Sequence, residues 1–504
     1  MSSLQRPHDS EQAATAQPVY WRNLSQNELS YFLPSRAYGL NDMYARFVFR
    51  ASPALVSPLR LRLAWAIMRL RHTLLACQIE MKPGCYDDAR FKYTPPASPS
   101  SALYEAGDTL NIYDDKTGLG LIQDFLSGPR KLSSERVARV DVARERIAPN
   151  VVEYHMLVMM VHAVNDGISV YRHGDAILEL VGGPAVPGGP PRTDVELAQL
   201  LDLEWRMRCS QPRADDVIVP PTEARLPLPW TAIQDAAWKI DHQNVQRRYI
   251  GGHTLPRIAS AVSDQIIDHV ALTVQDTAAV LAQCKKQRVT VQNAMFALCN
   301  FAWIRTAHTH PEFAAPKPLR AHLAPTSALA ASYMSLALGY CNIVLPAFLP
   351  AAADPHAIFW LRARAVQAQM RDTPRARCSW RARRWTTRRT GRCRPAQIDR
   401  DARAETARGQ RRPVCCAHGI SQMGDLGDVV NPARYTAIQF LDCWGHVRKG
   451  KGGIILFTHT LQKRFSMSFG WDRAAFPPGV IEEFWGYFQS GVHEFIIGRS
   501  LCRL

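Results

Sequence analysis

One histidine in this chain is placed where it could move a proton. His162 begins a six-residue segment that continues to Asp166 and Gly167. Imidazole is the side chain best suited to general acid–base chemistry, because its ordinary pKa lies near neutral pH. We interpret His162 as a candidate general base, and Asp166 and Gly167 as residues that hold the turn around it. The alternative is a buried structural histidine in a loop capped by aspartate, since short motifs also occur by chance.

The sequence on either side of this segment predicts a strand and a helix. Residues 151–161 form a mostly apolar run, and residues 168–181 have the apolar spacing of a helix. An apolar run of this length, followed directly by helix-like sequence, is typical of a buried strand that leads into a helix. The six residues would then form a tight turn that presents the imidazole at the end of the strand.

Helices and strands are mixed along the whole chain, which favours an α/β fold. A helix is predicted to start at Ser57–Pro58, with proline in its first turn. Further helices are predicted over 194–209, 277–286, 290–306 and 479–497, and strands over 74–79, 268–274, 454–458 and 465–469. We expect an N-terminal lobe over 18–210, a crossover linker over 211–261 and a C-terminal lobe over 262–504.

Length, cysteine usage and hydropathy restrict the class of protein. The 504 residues, 47% of them hydrophobic, are enough for two domains with full cores. The twelve cysteines include no C-x-x-C pair, which indicates reduced thiols without a zinc site or a disulfide framework. The polar N-terminus predicts no secretory signal, and no apolar run approaches the ~18 residues that span a bilayer. We expect a cytoplasmic monomer without membrane contact.

Positive charge is concentrated in one segment of the chain. The net charge is +17, and the tract from Arg371 to Arg412 alone carries fifteen arginines against four acidic residues. Its few large apolar side chains could not build a core. We interpret 375–412 as a disordered or misread segment, the latter from a wrong reading frame or a retained intron. A basic tract can bind nucleic acid, but this one lacks aromatic stacking platforms and a binding fold, so we expect no nucleic-acid partner.

Two motifs, in their order along the chain, resemble those of a known superfamily. The first is the strand, histidine turn and helix of residues 151–181. The second lies at 468–472 and shares with the D-F-G-W-G box of plant acyltransferases the residues Phe469, Gly470 and Trp471. The chain thereby resembles the chloramphenicol-acetyltransferase-like superfamily, which includes plant acyltransferases of the BAHD type, peptide-synthetase condensation domains and fungal trichothecene O-acetyltransferases.

Other segments are similar to superfamily features in corresponding places. Residues 70–75 resemble the end of the first helix, 276–302 the helix pair that opens the second lobe, and 420–426 an S-x-x-G-D turn of fungal members. The length and the segment Trp21–Asp42 most resemble the fungal trichothecene 15-O-acetyltransferases. Val161 stands where condensation domains usually have a further histidine, which favours O-acyl transfer over peptide-bond formation.

The resemblance implies two stacked α/β lobes with a tunnel between them. It also implies direct acyl transfer, with His162 as general base on a hydroxyl, Asp166 turned away from the substrate and paired with an arginine, and Gly167 at the turn. Phe469, Gly470 and Trp471 would support the structure. The expected partners are a small-molecule alcohol, such as a trichothecene or another fungal secondary metabolite, and acetyl-CoA or another acyl-CoA as cosubstrate. No cofactor or metal would be bound.

Three alternatives remain open from the sequence. A condensation-type transferase would take its acyl group from a carrier protein instead of CoA. A non-catalytic pseudo-enzyme would bind substrate without turnover, which the arginine-rich segment would explain if it replaces ordered residues. A nucleic-acid binder is supported by charge alone. His459, in the second half, could also face the tunnel, although a structural role is the simpler interpretation.

Overall fold

The structure, a computed structural model, describes residues 17–499 with several gaps. The gaps are 83–84, 86–87, 150, 211–216, 226–232, 234–239, 241–254, 259, 261, 311–318, 325–335, 337–340, 373–417 and 451. The predictions for the arginine-rich segment 375–412, and for much of the linker 211–261, therefore fall outside the described residues.

The described part of the chain alternates strands and helices. The strands are β1 (Tyr20–Asn23), β2 (Met43–Ala51), β3 (Gln78–Glu80), β4 (Arg90–Tyr93), β5 (Leu110–Tyr113), β6 (Ala138–Ala148), β7 (Val151–Met160), β8 (Gln265–Ala271), β9 (Leu319–Ala324), β10 (Cys341–Leu345), β11 (His418–Asp425), β12 (Gln439–Val447), β13 (Ile454–Leu461) and β14 (Arg464–Asp472). The helices are α1 (Gln26–Tyr38), α2 (Pro58–Arg71), α3 (Pro99–Gly107), α4 (Gly118–Ser127), α5 (Gly167–Gly182), α6 (Asp194–Trp205), α7 (Thr222–Arg225), α8 (Val274–Lys286), α9 (Val291–Thr309), α10 (Pro355–Asp372) and α11 (Val480–Gly491). No described helix is both long and apolar enough to cross a bilayer.

The described strands form a large sheet in each lobe and a small three-stranded sheet. The first lobe has the order β12-β2-β7-β6-β5, the second lobe β10-β9-β11-β13-β14-β8, and the small sheet β1-β4-β3. β7 is central and pairs antiparallel with β2 and β6. Every side chain from Tyr154 to Met160 is buried. Burying a large apolar side chain stabilises a fold by about 1.5–3 kcal/mol, which is why this apolar run becomes the central strand.

One strand of the first sheet comes from the second half of the chain. β12 pairs antiparallel with β2, from Gln439 opposite Arg50 to Val447 opposite Met43. The two halves therefore share a sheet, although the predicted division assigned this strand to the C-terminal lobe. The lobe boundaries themselves stay predictions.

Two hydrophobic cores lie against the two large sheets. The first contains Phe47 and Trp65, and the second contains Phe296 and Phe484. Met423 belongs to the first core although its strand, β11, lies in the second sheet. The lobes are thus joined both by strand exchange and by side-chain packing.

Most predicted elements are confirmed. Capping residues fix where several of the helices begin. Ser57 caps α2, because its hydroxyl accepts a hydrogen bond of 3.1 Å from the Arg60 amide. Thr290 caps α9 in the same way. The predicted final helix runs through α11 and continues as a π-helical turn, Val492–Ile497.

The strand predicted over 74–79 is wrong in its first half. Thr73–Leu75 form a 3-10 turn, and the strand covers only Gln78–Glu80. Leu74 and Leu75 are both buried. Successive side chains of a strand point to opposite faces, whereas a tight turn can direct both leucines into one core. The strand predicted over 268–274 also starts and ends three residues earlier, because Thr273 caps α8.

Candidate active site

His162 is the second residue after β7, in the loop that leads to α5. Its Nδ1 lies 2.9 Å from the backbone carbonyl oxygen of Asn165. A carbonyl oxygen can only accept a hydrogen bond, so Nδ1 carries the hydrogen and Nε2 of the neutral ring keeps its lone pair. His162 is 8% exposed, more than any other residue from Val161 to Asp166. The loop therefore defines Nε2 as the nitrogen that can take a proton.

A tyrosine from the first helix stacks on this imidazole. The ring of Tyr31, in α1, lies 4.0 Å from the His162 ring between centroids, with an interplanar angle of 17°. Both residues are buried. Parallel stacking at this distance restricts rotation of the imidazole. Sequence reasoning missed Tyr31 because no local pattern connects it to a residue so far along the chain.

The side chain of Asp166 caps α5. Its Oδ1 accepts a hydrogen bond of 2.9 Å from the Ser169 amide, and its own amide donates to the Asn165 side chain at 3.0 Å. An aspartate in this position stabilises a helix by about 1 kcal/mol. The cap holds the start of α5 beside the imidazole. The arginine partner that the resemblance implies for Asp166 stays a prediction.

Gly167 provides space for a neighbouring side chain. It is the first residue of α5, at the point where the loop passes into the helix. Its predicted role in the turn stays a prediction. A Cβ at this position would lie 2.6 Å from Sδ of Met423, which is shorter than any real contact. Met423 lies where β11 bulges against β13, before Gly424 with its left-handed φ of 77°. The bulge brings the second lobe against the histidine loop.

The late motif lies on β14 and makes packing contacts. Phe469 stacks on Trp485 with 4.8 Å between ring centroids. Trp471 is buried in the same core. Gly470 leaves room for the His446 ring, since a Cβ there would lie 2.2 Å from its Cε1 atom. The motif thus packs β14 both against its own core and against β12.

Two more histidines are buried between the facing sheets. His446 lies on β12 and His459 within β13, and each is 2% exposed. Burial away from water lowers the pKa of each imidazole to about 3, so both rings are neutral at pH 7. Neither Nε2 has a hydrogen-bond partner among the described residues.

The described residues offer groups for proton transfer and none for metal binding. No cluster of three or more histidine, cysteine, aspartate or glutamate side chains in the described ranges could hold a metal ion. Cys77, Cys284, Cys299 and Cys443 are buried free thiols. Burial raises the pKa of Cys77 and of Cys284 to about 12, which makes both poor nucleophiles.

Similarity to known proteins is found in structure and not in sequence. No protein-family model matches the chain, and no curated protein sequence matches it. The trichothecene 15-O-acetyltransferase TRI3 from Fusarium sporotrichioides is 12% identical, with a TM-score of 0.72 and 96% of each chain covered.

Condensation domains have the same architecture. The condensation domain of the monacolin K polyketide synthase MokA is 11% identical, with a TM-score of 0.60 over 96% of this chain and 98% of that one. The first condensation domain of the CDA synthetase is 12% identical, with a TM-score of 0.57 over 96% and 97%. The chain therefore has the same two-lobed α/β fold as these three proteins.

Proposed function

We propose that this protein is an acyl-CoA-dependent O-acyltransferase that acetylates a hydroxyl of a fungal secondary metabolite, of the trichothecene type. The observation that carries the proposal is the 2.9 Å hydrogen bond from His162 Nδ1 to the Asn165 carbonyl. This bond places a hydrogen on Nδ1, so Nε2 is the nitrogen that can take the proton of an alcohol. The fold shared with a trichothecene 15-O-acetyltransferase supports the class of acceptor.

In the proposed reaction His162 first accepts a proton from the acceptor hydroxyl and then donates it to the thiolate. Nε2 takes the proton of the acceptor hydroxyl while the oxygen attacks the thioester carbonyl carbon. The tetrahedral intermediate then collapses as the C–S bond breaks, and the imidazolium returns the proton to the departing thiolate. An ester and free CoA result. The rate acceleration comes from positioning of the substrates and from proton transfer. A general base typically increases the rate by about 10²–10⁴-fold.

The surrounding residues act by holding the base in place. The stacked Tyr31 ring restricts the imidazole, and the Asp166 cap fixes the first turn of α5. Gly167 has no Cβ, so the Met423 side chain of β11 can pack close to the start of α5. An imidazole whose ring orientation is fixed needs little reorganisation to react.

The proposed substrates are two diffusible molecules, an alcohol and acetyl-CoA or another acyl-CoA. No resident cofactor takes part, and the protein acts as a cytoplasmic monomer without a nucleic-acid or membrane partner. The second candidate is a condensation-type transferase that uses an acyl group on a carrier protein. It is favoured by the fold shared with the MokA and CDA condensation domains.

Ester formation from defined donors tests the proposal. The purified chain is incubated with acetyl-CoA and a trichothecene alcohol, and the ester is measured by mass spectrometry alongside free CoA. We expect equal amounts of both products from the native chain and ~10²–10⁴-fold less from His162→Ala. Turnover with an acylated carrier protein but not with acetyl-CoA would establish the condensation-type alternative.

Binding without chemistry would identify a pseudo-enzyme. In that case calorimetry would detect binding of the alcohol or of the acyl-CoA, but no donor would yield an ester. His162→Ala would bind both ligands as the native chain does. That result would overturn the catalytic proposal.

A further inference from the structure

Buried polar groups line the face where the two sheets meet. We call this the interlobe patch. On the first-lobe sheet it consists of Tyr44, Trp444 and His446, and on the second-lobe sheet of His269, His459 and Ser468. The first three lie on β2 and β12, and the others on β8, β13 and β14. Both sheets therefore contribute to one continuous surface.

Contacts between the rings show that the patch is contiguous across the lobes. His269 stacks on Trp444 with 4.9 Å between centroids and an angle of 11°. The His269 and His459 rings are 6.3 Å apart. Ser468 pairs directly with His269 in the antiparallel register, so their side chains share a face. Tyr44 is 6.1 Å from Trp444 between ring centroids.

Several polar atoms of this patch lack a partner. Tyr44 Oη, His269 Nδ1, His446 Nε2, His459 Nε2 and Ser468 Oγ are buried and make no hydrogen bond with the described residues. Buried polar groups in folded proteins are normally paired, and an unpaired one costs stability. A group of them in one place indicates that water or a polar ligand completes the bonding.

The patch adjoins the histidine loop through β11. His459 pairs with Gly424 in the register of β13 against β11. The preceding residue, Met423, contacts Gly167 at the start of α5. The Tyr171 ring, one turn further along α5, lies 6.4 Å from the His459 ring. A molecule with one hydroxyl near His162 could therefore reach the patch with another group.

The chemistry of His459 defines what it would recognise. Its Nε2 is buried and has no hydrogen-bond partner among the described residues. A nitrogen of a neutral imidazole accepts or donates one hydrogen bond, according to the tautomer. The ring is neutral because it is buried. Its match is a group that can donate or accept a hydrogen bond, such as a second hydroxyl of the acceptor molecule.

Building on the proposed function, we propose that the acceptor is a compact molecule with at least two oxygen functions. One hydroxyl is acylated at His162, and a second forms a hydrogen bond with Nε2 of His459 within the interlobe patch. Ser468 supplies a further hydroxyl beside it. His459 is thus a specificity-determining residue and takes no part in proton transfer.

Binding without an acyl donor tests this directly. The probes are a trichothecene diol and its analogue that lacks one hydroxyl, titrated calorimetrically into the native chain and into His459→Leu. We expect the native chain to bind the diol ~10–100-fold more tightly, and His459→Leu to bind the two probes equally. His459→Gln, which keeps an acceptor oxygen, should restore part of the preference.

A neighbouring threonine provides the matched control. Thr458 is fully buried, and its hydroxyl also lacks a partner among the described residues. It precedes His459 on β13 and therefore faces the opposite side of the sheet. Thr458→Val should leave the diol preference unchanged, which separates recognition from a general loss of buried polarity.

The outcomes separate this inference from the proposed function. The inference would be wrong if the native chain and His459→Leu preferred the diol equally, or if neither preferred it. Either result would mean that the patch holds only water. Esterification by the native chain could still be observed in that case. Conversely, a preference lost in His459→Leu without turnover of any donor would support the site while overturning the proposed function.

Discussion

The Tyr31 ring lies parallel to the His162 ring, with 4.0 Å between their centroids. This contact joins α1 to the loop after β7, and it restricts the one side chain that we assign to proton transfer. Tyr31→Leu should therefore lower kcat by about 10-fold, because the imidazole gains rotational freedom. KM for either substrate should change little. Steady-state kinetics with both substrates varied measures the two effects separately.

Tyr31→Phe is the control for that prediction, since it keeps the stacked ring. It should retain most of the kcat of the native chain. A Phe variant as impaired as the Leu variant would show that the hydroxyl, and not the stacking, matters.

The capping role of Asp166 predicts a change in stability. Asp166→Ala should lower the free energy of unfolding by about 0.5–2 kcal/mol, because the Ser169 amide loses its acceptor. Asp166→Asn should lose much less, since asparagine caps helices equally well. Urea denaturation of the three proteins measures this. Equal losses for both variants would indicate that the carboxylate charge is essential, as an arginine partner would require.

The contact between Gly167 and Met423 predicts that the two positions are coupled. Gly167→Ala should destabilise the fold by at most about 1 kcal/mol, because the flexible Met423 thioether has to move away from the new Cβ. Met423→Ala removes the obstacle, so the double variant should lose less stability than the sum of the single variants. Thermal denaturation of all four proteins completes the cycle. Additive losses would contradict the close approach.

The buried histidines predict that acid destabilises the protein. Burial lowers the pKa of His446 and His459 from the ordinary 6.5 to about 3, and that of His72 to about 4. Below pH 6.5 the unfolded chain therefore binds more protons than the folded one. The free energy of unfolding should fall with decreasing pH, by about 1.4 kcal/mol per pH unit for each such imidazole.

Urea denaturation between pH 7 and pH 4 checks this prediction. His459→Leu removes one of the titrating groups, so its stability should decline less steeply over the same range. An identical pH dependence in the native and variant proteins would mean that this imidazole is not buried in the neutral form.

The elements nearest the candidate base were predictable because their patterns are local. Residues 151–161 are apolar enough to be a central strand, and Asp166 followed by helical spacing marks the start of α5. The strands β13 and β14 were recognisable for the same reason. At Leu74 and Leu75 the apolar pattern was compatible with either a strand or a tight turn. The pattern favoured a strand, whereas the structure has a 3-10 turn.

The sequence by itself determined that His162, Asp166 and Gly167 belong to the segment between a buried strand and a helix. Hydrophobic periodicity and capping act over a few residues, and so they can be read along the chain. Only the tertiary structure decided that Tyr31 stacks on His162, that the Met423 side chain packs close to Gly167, and that the His459 ring lies near the His269 ring. Those contacts depend on how segments that are distant in the sequence pack together. A local sequence pattern does not predict which side chains meet in this way.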